Sequence, residues 1–176
     1  MKIKKKIYDF ETFCKNSITK TKKSGGFISE LIAIGDANNI IIAFADLPET
    51  FEEKIKMFVG AGKKTGTDAL IGKLQKLYFG TESWMIQVDK DEEKPDGYIR
   101  DNPNRVEILL LTEQNLENHT SQAKFYIMKR DSEEKLIDLA EMDGLKNKSE
   151  FNKTESPLLD AFAWGFNKGR EVQTRQ

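Results

Sequence analysis

FISELIAIGDANNIIIAFA, residues 27–45, sets two apolar runs on either side of Gly35-Asp36-Ala37-Asn38-Asn39. Gly, Asp and Asn tolerate positive φ or bond their own backbone, so the interruption predicts a turn. The runs over 27–34 and 40–45 are rich in β-branched and aromatic residues, and the pair reads as a β-hairpin with a buried face. A helix end over Phe27–Leu31 is the alternative reading of the first run, and it would shorten the first strand.

Upstream, Ile7, Phe10, Phe13, Cys14 and Ile18 fall at near-helical spacing and predict a short amphipathic helix. Ser24-Gly25-Gly26 ends it. Residues 1–24 carry eight lysines against Asp9 and Glu11, a net of +6.

Downstream, Thr50 is an N-cap with Glu53 at the capping-box position, opening a helix that buries Phe51, Ile55, Phe58 and Val59. Gly60, Gly62 and Gly66 interrupt it. A second helical piece is predicted over 67–77, capped by Thr67 or Asp68 and striped by Leu70, Ile71, Leu74 and Leu77. Whether 50–77 is one kinked helix or two is left open. Strands follow over 78–88, 105–112 and 122–130, separated by a polar, acidic loop at 89–104 and a polar connection at 113–121. The stretch Lys135–Met142 fits a strand or a short helix. Ser156-Pro157, a cap followed by proline at the first helical position, opens a helix over about 157–168.

Strands joined by turns pair antiparallel. The expected object is therefore α+β: a twisted antiparallel sheet of about five strands, a helix packed on one face, and helices at both ends. Residues 1–142 form one domain, 143–156 a polar linker, and 157–176 a C-terminal helix and tail. At 176 residues the chain suits one well-buried core. Charged residues make up 32%, and eleven Phe, four Tyr and two Trp supply enough core material to assign that charge to solvated surfaces.

The inventory of reactive side chains excludes several chemistries. One histidine, His119, and one cysteine, Cys14, cannot assemble a zinc site within one chain. A single cysteine also makes no internal disulfide, which fits a reducing, cytoplasmic setting. No apolar run is long enough to span a membrane, and the basic start lacks the features of a signal peptide. Gly60-Ala-Gly-Lys-Lys-Thr-Gly66 imitates a phosphate loop, but the spacing places Met57 where the first glycine belongs and Lys64 where Ser or Thr belongs. The acidic run Asp89–Asp96 imitates a calcium loop, but Lys94 and Arg100 stand where glycine and glutamate are needed. Asp46, Glu82, Asp89, Glu107 and Lys124 are candidates for a metal-dependent nuclease, without the acid-x-lysine spacing that such sites use. His119 reads as a surface turn residue, Cys14 as a buried helix residue, and Trp84 as a core aromatic.

Glu82-Ser83-Trp84, Pro103, and Arg105 with Glu107 opening the strand Ile108–Thr112 resemble the layout of a group of small uncharacterised bacterial and mobile-element proteins. These share a hairpin, a helix, a strand ending in a Glu-Ser-Trp-like element, a proline-containing acidic loop and a strand opening Arg-x-Glu. The resemblance spans roughly residues 27–130 and implies no activity. A composition rich in lysine, asparagine and isoleucine is compatible with an AT-rich bacterial or phage genome, and the chain is expected to be phage or mobile-element encoded.

The expectation is a cytoplasmic binding or accessory protein, without cofactor, metal or catalytic residues. It would act through a protein partner or through self-association. Candidate contact residues are Trp164, Phe162 and Phe166 on the C-terminal helix, and Lys4, Lys5, Lys6, Lys20, Lys22 and Lys23. The basic N-terminal segment and the acidic loop 89–101 would pair head to tail between copies in a salt-sensitive dimer. The alternatives are a metal-dependent nuclease or phosphodiesterase using sheet carboxylates, and a non-specific nucleic-acid binder using the N-terminal lysines, Lys2 included.

Overall fold

The computed structural model describes residues 8–68, 70–86, 101–142 and 156–173. Helix α1 (Phe10–Ser24) precedes the hairpin of β1 (Ser29–Gly35) and β2 (Asn39–Phe44). Helix α2 (Phe51–Thr67) follows, then strands β3 (Leu74–Met85), β4 (Val106–Asn115), β5 (Thr120–Arg130) and β6 (Leu136–Glu141), and finally helix α3 (Pro157–Gln173). The six strands form one antiparallel sheet in the order β2-β1-β3-β4-β5-β6. The class is the expected α+β, and the stretch 135–142 is resolved as strand β6. Lys2, Lys4, Lys5, Lys6, the run from Asp89 to Asp96 and all of the 143–156 linker except Ser156 lie outside the described residues.

Local chemistry sets the helix ends. Asp9 Oδ1 accepts the Thr12 N–H at 2.7 Å to start α1. Gly25, at φ 77°, ends it by donating its N–H to Thr21 O at 2.9 Å. Thr50 Oγ1 accepts the Glu53 N–H and donates to the Glu53 carboxylate at 2.7 Å, so the predicted cap opens α2.

Alpha2 departs from the sequence expectation. Gly60, Gly62 and Gly66 do not interrupt it, and among the described residues of 68–77 none is helical. A Cβ at Gly62 would fall on Phe162 O, and one at Gly66 on Phe166 O. Reciprocally, one at Gly165 would fall on Val59 O, and one at Gly169 on Lys63 O. Two Gly-x-x-x-Gly stripes thus let α2 and α3 cross with backbone against backbone, closer than side chains permit. Asp68 is the C-cap of α2, and Gly72, at φ 76°, turns the chain into β3. The β1–β2 turn anchors this corner: Ala37 N–H donates to Ile71 O at 3.0 Å, and Lys73 N–H donates to Asp36 Oδ1 at 2.7 Å. Leu74 and Leu77, expected on a helix stripe, open a strand instead because β1 is there to pair with them.

The helices sandwich the sheet. On one face Phe10, Phe13 and Cys14 of α1 pack against Ile32, Tyr78, Leu109 and Tyr126. On the other, Phe58 of α2 and Leu159, Phe162 and Phe166 of α3 pack against Leu31, Ala33, Leu77 and Phe79. Phe51, expected in this core, is exposed at the start of α2. Helix α3 is pinned at both ends: Gln114 donates to Asp160 in its first turn, and Arg170 donates to Gly72 O near its last.

Candidate functional site

The fold gathers the residues of the Glu-Ser-Trp and Arg-x-Glu elements. Trp84 pairs with Glu107 across β3 and β4, and side chains at Glu82, Trp84 and Glu107 share the α1 face with Arg130 of β5. Arg130 binds Glu107 in a bidentate fork, with Nε at 2.6 Å and Nη2 at 2.8 Å. Its Nη1 donates to Gly25 O at 2.8 Å and to Glu134 O at 3.2 Å. Glu82 lies 4.0 Å from Arg130 and accepts the Phe27 N–H at 2.5 Å. One guanidinium therefore ties β3, β4, the β5–β6 turn and the end of α1 together. Arg105 stands over the Trp84 ring at 4.5 Å. Trp84 is 40% exposed and is not the core aromatic that its strand position suggests.

Burial pushes the Glu82 carboxyl above its ordinary 4.5, with Glu107 adding to the rise, while the Phe27 N–H and Arg130 oppose it. Because the folded value is the higher one, the protonated carboxyl favours the fold. That contribution is fully present below pH 4.5 and is lost as pH rises through the folded value. Glu82→Gln, which stays neutral and keeps an acceptor for Phe27, is expected to melt above the parent chain at neutral pH and level with it in acid. Thermal melts across pH check this. A lower melting point at pH 7 would contradict it.

The cluster is a latch whose groups are mutually satisfied. Among the described residues no group of three or more His, Cys, Asp or Glu is placed to hold a metal ion. Of the acids singled out for metal chemistry, Glu82 and Glu107 meet around a guanidinium. Asp46 is exposed beyond β2, and Asp89 lies outside the described residues. Lys124 is paired with Glu11 at 2.7 Å. Burial pushes the Cys14 thiol up to about 12, which leaves almost no thiolate at neutral pH. His119 is exposed in the β4–β5 turn at φ 56°.

The proposed contact residues are scattered. Phe162 and Phe166 are buried in the chain's own core and offer nothing to a partner, a correction to the sequence expectation. Trp164 is exposed on α3, with Lys168 Nζ at 5.9 Å from its ring. Lys22 and Lys23 are exposed on α1, while Lys20 is paired with Glu30 at 2.8 Å. No helix among the described residues is long and apolar enough to cross a membrane.

The sequence reading missed the free edge of the sheet at β2. Antiparallel pairing alternates residues that face the neighbour with residues that face away. Gly35 N–H donates to Asn38 O at 3.0 Å, and the register pairs Ala33 with Ile40 and Leu31 with Ile42. Asn38, Ile40 and Ile42 thus face β1, while Asn39, Ile41 and Ala43 turn both main-chain groups outward. No strand pairs with β2 on that side among the described residues. Ile41 is 64% exposed, and Ile28 beside the same face is 67% exposed. Ile28 lines an open groove of about 740 Å³ together with Phe27 and Ala43, and Lys20, Lys23, Ser24 and Glu30 line it as well.

An uncharged strand edge such as Asn39–Phe44 is a template for another strand, and folded proteins ordinarily blunt one with charge, proline or a bulge. The opposite edge of this sheet is blunted. Strand β6 carries Asp138 and Glu141, and the β5–β6 register shifts at Lys129/Arg130. In class the molecule is an α+β sheet protein sandwiched by helices, with, among the described residues, one guarded and one open edge. No family model matches the chain, and neither characterised proteins nor solved structures give a significant match to it.

Proposed function

We propose that this chain is a contact module that acts by strand addition at the β2 edge rather than by catalysis. The observation that carries the reading is the uncharged edge Asn39–Phe44, with the outward main-chain groups of Asn39, Ile41 and Ala43 beside exposed Ile28 and Ile41. Main-chain hydrogen bonds supply affinity in such docking, and alternate side chains supply selectivity. The charged latch and the inert Cys14 support the fold and lie outside the residues that line the groove.

A peptide of the sequence Asn39–Ala45 flanked by lysines, titrated into the isotope-labelled protein, tests the reading. Amide resonances of Ile41 and Ala43 are expected to shift and their exchange to slow, while Ile40 and Ile42, already bonded to β1, change little. Unchanged Ile41 and Ala43 amides at saturating peptide would overturn strand addition at this edge.

A further inference from the structure

Resting on that reading, we propose that the strand added to β2 is β2 of a second copy. The two would pair antiparallel about a twofold axis at Ile41, giving a continuous sheet of twice the strands.

The edge is self-complementary. A twofold axis normal to the sheet keeps each face on its own side, so residues paired across it share a face. The outward groups belong to Asn39, Ile41 and Ala43, all on the α1 face. Centring the axis on Ile41 sets Ile41 against its own equivalent and Asn39 against Ala43, and every outward N–H and C=O in the strand finds a partner. On the opposite face the same register brings Ile40 against Ile42. No charged residue lies in Asn39–Phe44, so like charges do not meet across the junction. Lys20, which lines the groove beside Ala43, is neutralised by Glu30, itself paired in register with Ala43. The two exposed Ile41 side chains cover one another, and the two grooves meet over an apolar floor.

The guarded β6 edge selects this arrangement. A β2-to-β6 contact would be head to tail and would not close, giving a filament. Asp138, Glu141 and the bulge oppose it. The isologous β2 pair closes at two copies. Because neither edge is charged, this dimer differs from an association of the basic N-terminus with the acidic loop: salt does not dissolve it.

Sedimentation equilibrium of the full chain at low and high salt, from micromolar to near-millimolar concentration, tests the proposal. A monomer–dimer equilibrium that is unchanged by salt is expected. Ile41→Pro removes an N–H that β1 does not use, on an edge strand where proline is tolerated. It is expected to give a monomer with the parent's circular dichroism. Ala43→Lys, a charge on the same edge, is expected to do likewise and keeps the test decisive if the proline variant folds poorly. Ile41→Cys is expected to form a disulfide-linked dimer on mild oxidation, since opposed residues of a bonded antiparallel pair lie about 5.5 Å apart at Cα, within disulfide reach. Buried Cys14 leaves no competing thiol. A monomer at every concentration, or a dimer that survives both Ile41→Pro and Ala43→Lys, overturns the proposal. If the chain is monomeric yet the β2 peptide binds, the second copy is wrong and strand addition stands. If the peptide also fails, both fall.

Discussion

Gly62→Ala is expected to destabilise the protein by about 3 kcal/mol, the upper end of the overpacking range, because the added methyl meets backbone rather than a side chain that can rotate away. At about 2–4 °C per kcal/mol for a chain of this size, that is a fall in Tm of roughly 6–12 °C. Gly165→Ala on the facing helix is expected to match it, since its Cβ would fall on Val59 O. The control is two residues away, on another face of the helix. Gly60 has open space where its Cβ would stand, so Gly60→Ala follows helix propensity alone and is expected to stabilise by about 1 kcal/mol. The opposite signs at positions two residues apart separate the packing account from a general dislike of alanine in α2. Thermal or urea unfolding checks both. Equal shifts in Gly60→Ala and Gly62→Ala would contradict the crossing described here.

The second large effect is expected at Arg130. Removing one partner of a mostly buried ion pair leaves the other charge uncompensated, at a cost of about 3–5 kcal/mol. The Arg130 and Glu107 side chains are 20% and 16% exposed, so Arg130→Met is expected near the lower end of that range. Glu107→Leu combined with Arg130→Met removes both charges and is expected to recover much of the loss, because an apolar pair of similar volume carries no desolvation penalty. Urea unfolding of the two single variants and the double measures the coupling. Additive losses would show that the bidentate contact does not hold these strands together.

Much of the fold was legible in the sequence because its signals are local. The turn residues from Gly35 to Asn39, the Thr50/Glu53 cap, the Gly25 stop and Ser156-Pro157 each act within a few residues, and each appears where expected. The glycines of α2 misled because their reason is distant. Gly in a helix is costly unless something needs its missing side chain, and here that is α3, about a hundred residues along the chain. The stripe of Leu70, Ile71, Leu74 and Leu77 has helical spacing, but Gly72 divides it, and the first pair serves a corner while the second opens a strand.

The candidate site was legible residue by residue but not as a place. Glu82, Trp84, Arg105 and Glu107 stood out in the sequence, yet their meeting depends on the β3–β4 register, and Arg130 joins them only through β5. The open edge was hidden for a similar reason. Residues 39–44 read correctly as a strand, but a strand becomes an edge through sheet order. Helix α2 carries the chain over to the far side of β1, so β3 pairs with β1 and leaves β2 outermost.

Backbone amide exchange in β2 at low and high protein concentration tests the central claim most directly. Ile40 and Ile42 are expected to be protected throughout, while Ile41 and Ala43 exchange fast in dilute solution and become protected as concentration rises. Fast exchange at Ile41 and Ala43 at every concentration would contradict it.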